Sequence, residues 1–128
     1  MNIAKIMIPK VFTAFLHESS TVRHGSETMK HHGYTALPVL DETGHYVGCI
    51  TEGDFLRYLM DGQDRSLKDK THIGDIIRKN FCPPIHIDAE EDVVINAIMA
   101  QNFVPVVDSL DCLCGIVTRR KVKCLLMI

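Results

Sequence analysis

Leu37-Pro38-Val39-Leu40-Asp41 and Val104-Pro105-Val106-Val107-Asp108 are one pattern written twice, 67 residues apart. At the same spacing, Gly48-Cys49-Ile50-Thr51 answers to Gly115-Ile116-Val117-Thr118. A repeat of this length means that one structural unit occurs twice, each unit too small to bury a core of its own. Within each copy two apolar, partly β-branched runs flank a turn: Leu37–Leu40 and Tyr46–Ile50 around Asp41-Glu42-Thr43-Gly44, then Val104–Val107 and Leu113–Val117 around Asp108-Ser109-Leu110-Asp111. Each copy therefore contains a β-hairpin.

Upstream of each hairpin the spacing predicts a helix. Val22–His32 has Thr21 as N-cap and Gly33 as terminator, and Val93–Gln101 has Asp92 as N-cap and Asn102 as terminator. Downstream, a second helix places Phe55, Leu56, Leu59 and Met60 on one face after Thr51, and Val122, Leu125, Leu126 and Ile128 on one face after Thr118. Ile3-Ala4-Lys5-Ile6-Met7 matches Ile73-Gly74-Asp75-Ile76-Ile77 as an extended leading segment, and Leu16 and Val22 match Ile87 and Val93. The offset then falls by four residues within the first helix, about one turn of 3.6 residues, which keeps the buried face in phase. The expected fold class is α+β, each unit running helix, strand, strand, helix behind a lead-in strand. The repeats divide as 1–62 and 73–128, with 63–72 a polar connection.

The chain has 128 residues, 46% of them hydrophobic, enough for one ordinary core shared by both units. A net charge of −2 with interspersed signs supplies no field for nucleic acid or an anionic membrane, and no apolar run reaches the ~20 residues of a spanning helix. Five cysteines, an odd number set mostly in apolar runs, predict a reduced, cytoplasmic protein.

The repeated order of helix, apolar-Pro-Val-apolar-Asp, turn, Gly-apolar-apolar-Thr and helix resembles the CBS domain, named after cystathionine beta-synthase. The likeness runs from Ile6-Met7 to Leu126. It implies two units packed about a pseudo-twofold axis, with clefts that take AMP, ADP, ATP or S-adenosylmethionine, and association into a homodimer. It further implies a regulatory, non-catalytic role towards a partner enzyme or transporter, with no cofactor required.

The resemblance also assigns residues. In the first unit, Thr51-Glu52-Gly53-Asp54 opens the second helix, and the Asp is expected on the ribose hydroxyls. The same Thr and Asp also suit a capping box, with Thr51 as N-cap and Asp54 at N3, a role that needs no ligand. In the second unit Thr118-Arg119-Arg120-Lys121 puts a lysine where the family has Asp, and Lys123 adds a fourth cation at a helix N-terminus. A lysine cannot accept from ribose, but such a basic turn suits phosphate. One reading is thus an asymmetric module, with adenosine at Asp54 and phosphates at Arg119, Arg120 and Lys121; the other is a solvated basic face. Walls for the base are expected from Thr13, Ala14, Tyr34, Thr35 and Ala36, with Ile85, Phe103 and Val104 as counterparts, and Tyr34 either stacks on adenine or belongs to the core.

His24 and His31 lie seven apart on one helical face beside His32, but no His-x3-His or Cys-x2-Cys spacing occurs, so surface histidines and core cysteines are expected, the Cys112-x-Cys114 pair included. No catalytic nucleophile motif is readable. The rival to a nucleotide sensor is a ligand-free interaction scaffold on the same fold. The apolar end Cys124–Ile128 is expected to be covered, by a dimer contact or by further chain.

Overall fold

A computed structural model describes residues 2–61, 69–78 and 80–126. The elements are α1 (Ile3–Ile6), β1 (Ile8–Pro9), β2 (Leu16–His17), α2 (Val22–His32), β3 (Ala36–Leu40), β4 (Tyr46–Thr51), α3 (Glu52–Met60), β5 (Ile85–His86), α4 (Glu91–Ala100), β6 (Phe103–Val107), β7 (Leu113–Thr118) and α5 (Arg119–Leu126), with 3₁₀ turns at Lys10–Phe12 and Ile73–Asp75. The fold is α+β, as the repeats require. Much of the 63–72 connection, and with it Met127 and Ile128, lies outside the described residues, so the helix face expected to include Ile128 is described only as far as Leu126.

Contacts divide the chain into two compact units that do not follow its order: residues 14–81 form one, and residues 1–13 with 82–128 form the other. In the first, β2 pairs in parallel with β3, and β3 antiparallel with β4. In the second, β5 pairs in parallel with β6, β6 antiparallel with β7, and β1 adds antiparallel to the far side of β7. Both hairpins carry the same irregularity, between Val39 and Leu40 and between Val106 and Val107. Both turns are held by their first aspartate, Asp41 accepting from the Thr43 and His45 amides and Asp108 from those of Leu110 and Cys112. Gly44 and Asp111 supply the positive φ that each turn needs.

The matched leading segments explain the division. They are short helical turns rather than extended chain, and each closes the core of the unit that holds the other repeat's hairpin. Ile3 and Ile6, three apart on one side of α1, bury among Ile85, Val94, Ile98, Val104, Val106, Val117 and Val122. Ile73 buries among Leu16, Val22, Met29, Leu37, Val39, Ile50, Phe55 and Tyr58, with Ile76 and Ile77 packed alongside. The lead-in strand of each half is a separate two-residue segment, β2 or β5. Two glycines make room: a Cβ on Gly25 would lie 2.5 Å from Ile73 Cδ1, and one on Gly115 would lie 2.3 Å from the Ile8 carbonyl oxygen.

Several boundaries move. Helix α2 keeps its expected Thr21 cap, whose hydroxyl accepts from the His24 amide, and its left-handed Gly33. Helix α4 instead begins at Glu91 behind Glu90, and ends in an extended Gln101 rather than a left-handed Asn102. That start rotates the helix so that Val94 and Ile98, four apart, face the core, while Val93 is 44% exposed and is no equivalent of buried Val22. The strand registers Leu16↔Val39 and Ile85↔Val106 likewise make Ile85, not Ile87, the counterpart of Leu16. The two halves therefore differ here by two residues instead of four: α2 has 11 residues to the 10 of α4, and the connection to the next strand is one residue longer.

The faces of the last helices shift as well. In α3 the buried positions are Asp54, Phe55 and Tyr58, with Leu59 half-buried, whereas Leu56 and Met60 are exposed. In α5 Val122 is buried, and Leu125 and Leu126 are exposed. Of the cysteines, Cys49 and Cys82 are core residues, Cys112 and Cys114 are half-buried, and Cys124 is exposed. Burial, followed by the charge of Asp108, pushes the Cys114 thiol above its ordinary range.

Candidate functional site

The strand-to-helix turns at Thr51 and Thr118 are built alike. Ala36 pairs with Thr51 and Phe103 with Thr118 at the open ends of the hairpins. The next amide in each, Glu52 N or Arg119 N, donates to the chain just before the hairpin, to Thr35 O at 3.0 Å and Asn102 O at 2.9 Å. Thr35, Ala36, Thr51 and Asp54 are thereby gathered at one end of one unit, and Phe103, Thr118 and the basic turn at one end of the other. Each threonine hydroxyl accepts from the amide three residues on, Asp54 N at 3.2 Å and Lys121 N at 3.2 Å. That is N-capping in both units.

Beyond the cap the two turns diverge. The Asp54 side chain completes a full capping box: Oδ2 accepts from Thr51 N at 2.8 Å and from Thr51 Oγ1 at 3.0 Å. Its other oxygen, Oδ1, accepts from Arg57 Nη2 and, at 3.0 Å, from Arg78 Nε. The Arg78 guanidinium lies 3.8 Å over the Phe81 ring, which fixes its plane. Asp54 is the buried charged residue of the described chain, 2% exposed. Burial alone would raise its pKa; the Arg57 hydrogen bond, those from Thr51 and the Arg78 charge outweigh it and hold the carboxyl below its ordinary range. With four donors on two oxygens, this carboxylate has its acceptor positions filled, and a ribose hydroxyl could reach it only by displacing an arginine.

In the other unit Arg120 and Lys121 are exposed. Arg119 is turned away to the end of α4, with Nε donating to Ile98 O at 2.9 Å and Nη2 to Met99 O at 3.3 Å, where a cation also suits the helix dipole. The three cations expected to act together are thus divided between a helix C-cap and solvent.

The predicted walls separate in the same way. Ala14 is half-buried against its unit's core, while Ile85 and Val104 are core side chains. Thr13 is half-buried and donates to Pro9 O at 2.9 Å. Tyr34 is not a core residue: it is half-exposed and stacked on His32, 5.8 Å between centroids at 6°. His24, His31 and His32 are exposed. Among the described residues no group of three His, Cys, Asp or Glu side chains is placed to hold a metal, and no helix is long and apolar enough to cross a membrane.

Two residues that belong to this geometry escape a reading of the sequence. Arg57 carries a signal, since it stands three residues after Asp54 on one helix, at ion-pair spacing. Arg78 carries none, being 24 residues distant and delivered by the seating of the Ile73–Ile77 segment.

Residues 3–61 match the family described as "CBS domain". No curated protein matches the chain in sequence. Among solved structures, CbpB of Listeria monocytogenes in complex with c-di-AMP superposes with a TM-score of 0.89 at 23% identity, over 99% of this chain and 96% of that one. A CBS domain protein of Streptococcus pneumoniae gives 0.87 at 23%, over 98% and 88%. CBSX2 in complex with AMP gives 0.78 at 21%, over 98% and 96%. The chain therefore carries a CBS domain over residues 3–61 and, taken whole, has the fold of CBS-domain proteins, as a tandem pair requires.

Proposed function

We propose that this protein is a regulatory module that binds an adenine nucleotide without catalysing a reaction. The observation that carries the reading is the pair of like-built turns, each with a threonine-capped helix N-terminus and each beside basic side chains: Arg57 and Arg78 at one, Arg120, Lys121 and Lys123 at the other. Such turns suit phosphate and ribose. Support comes from two proteins of this fold, one solved with AMP and one with c-di-AMP. The ligand class proposed is accordingly an adenosine carrying phosphate, namely AMP, ADP, ATP or a cyclic dinucleotide, with S-adenosylmethionine as the phosphate-free comparison. Each unit offers its own residues to such a ligand: Ala14, Thr35, Ala36 and Thr51 are proposed on one, and Thr13, Phe103, Thr118, Arg120 and Lys121 on the other. Self-association is the companion proposal, supported by the exposed Leu56 and Met60 on α3 and Leu125 and Leu126 on α5. A regulated enzyme or transporter partner and a cytoplasmic setting complete it.

The rival, a scaffold that binds no small molecule, gains from the filled acceptor positions of Asp54. A thermal-shift panel of adenosine, AMP, ADP, ATP, c-di-AMP, S-adenosylmethionine and GMP decides between them. A ligand at 100 times its dissociation constant adds about 2.7 kcal/mol, a clear displacement for a domain of this size. A shift with adenine compounds and not GMP supports the sensor, and a flat panel leaves the scaffold.

A further inference from the structure

A buried carboxylate that ties down two cations leaves one positive charge over. Asp54 is that carboxylate, and Arg57 and Arg78 are the cations, with side chains 49% and 44% exposed against 0% for Asp54. Among the described residues neither arginine pairs with another carboxylate, and Glu52, the other acid of this turn, is exposed and joins neither. A guanidinium has five N–H donors. Arg57 spends Nη2 on Asp54, and Arg78 spends Nε there while its face rests on Phe81, so the remaining donors of both are held in place with no protein acceptor among the described residues. Two forks pinned at one oxygen, half in water and with an uncompensated charge between them, have the chemistry of an oxyanion clamp.

We infer that on this unit the ligand-facing groups are Arg57 and Arg78, that they take the phosphate of a phosphorylated ligand, and that Asp54 is their positioning residue rather than a contact to ribose. The inference rests on the nucleotide reading above for the identity of the ligand, but not for its charge. It also explains why the carboxylate is buried: a group that must reach ribose needs access, whereas one that aligns two guanidinium groups needs only to be fixed, as its capping box ensures.

Calorimetric titration of the intact chain with AMP, adenosine, c-di-AMP and pyrophosphate tests it, on wild type, Arg57→Ala, Arg78→Ala and Arg78→Lys, each first checked for folding by circular dichroism. Removing either arginine should weaken the phosphorylated ligand about tenfold or more while leaving adenosine unchanged, since a hydrogen bond to a charged group is lost. The lysine variant should recover part of the loss, and the salt dependence of AMP binding should flatten in both alanine variants, a change that a merely structural arginine would not produce. Equal losses for AMP and adenosine, or no loss for either, overturn the clamp. If wild type binds no adenine compound, the nucleotide reading fails by itself. Pyrophosphate binding that Arg78→Ala abolishes would still uphold the clamp, and its absence would end both. Should Arg78→Ala not fold, Arg57→Ala and Arg78→Lys carry the same comparison.

Discussion

At the turn after Thr51 the fourth position is an aspartate; at the turn after Thr118 it is a lysine. The backbone treats them alike, each threonine capping the amide of that residue. Asp54 is buried and draws Arg57 and Arg78 onto itself, while Lys121 stands in water and its neighbour Arg119 closes the end of α4. One repeat thus arrives at positive charge by recruiting it around a buried acid, the other by carrying it in the turn itself. The lesson is that a side chain's role at equivalent positions follows from its surroundings: the same helix start is a rigid hub in one unit and an exposed basic rim in the other.

The comparison can be broken at four points. The largest effect is expected from the exchanged isoleucines. Ile73→Ala and Ile3→Ala should each cost about 3–4 kcal/mol, both side chains being essentially inaccessible. Hydrogen exchange should locate the damage in the opposite repeat: Ile73→Ala loosens the amides of α2 and β3, and Ile3→Ala those of α4 and β6. Protection lost in the mutated residue's own repeat instead would refute the division into units.

Next is the hub itself. Asp54→Ala removes a capping box and two charge-assisted bonds, discounted because both arginines are half in water, and should cost about 2–3 kcal/mol in urea unfolding. Lys121→Ala at the matching position should stay within about 0.5 kcal/mol. Similar values for the two would erase the contrast drawn above.

The glycines that follow each hairpin turn come third. Gly115→Ala sets a methyl group against the backbone of β1 and should cost about 2 kcal/mol, whereas Gly48→Ala meets at 3.3 Å only the tip of Ile77 but puts a side chain at a φ of 157°, a strain of about 1–3 kcal/mol. Hydrogen exchange should separate the two, Gly115→Ala loosening β1 and β7 and Gly48→Ala loosening β3 and β4; a fully protected β1 in Gly115→Ala would show that β1 yields without losing its pairing with β7.

The smallest effect is on acid stability. Asp41 is held at about 2 where burial would raise it, because the amides of His45 and Thr43 and the hydroxyl of Thr43 donate to it, and Asp54 is also lowered. A carboxyl depressed in the folded state adds stability above its unfolded value of about 3.9, and that stability is lost as pH falls towards the folded value. Stability should therefore decline between about pH 4 and pH 2, and Asp41→Asn and Asp54→Asn should each flatten the decline. An unaltered acid limb in both variants would count against these hydrogen bonds.

The hairpins, the Thr21 and Gly33 ends of α2 and the Thr51 capping box were legible because each is decided within a few residues of chain. The phases of α3 and α4 were not. Val93-Val94-Ile95 and Phe55-Leu56 put apolar residues side by side, so spacing alone admits two faces, and the choice falls to the residue at which the helix begins. In α4 that is Glu91, two residues earlier than Asp92 as cap would allow. A false phase there also produced the apparent four-residue offset, which strand register reduces to two. The site was legible in the same measure: Thr51, Asp54 and Thr118 stand at the turns as expected, whereas Arg119 is committed to α4 and Tyr34 to His32.

By itself, then, the order of residues determined two hairpins, their turns, the helix caps and the repeat, all products of hydrogen bonds and alternation between near neighbours. Only the tertiary structure decided that Ile3 and Ile73 change places between repeats and that Arg78 reaches Asp54. Those contacts join residues far apart in the chain, and they form only where apolar surfaces from distant segments happen to be complementary once both are folded.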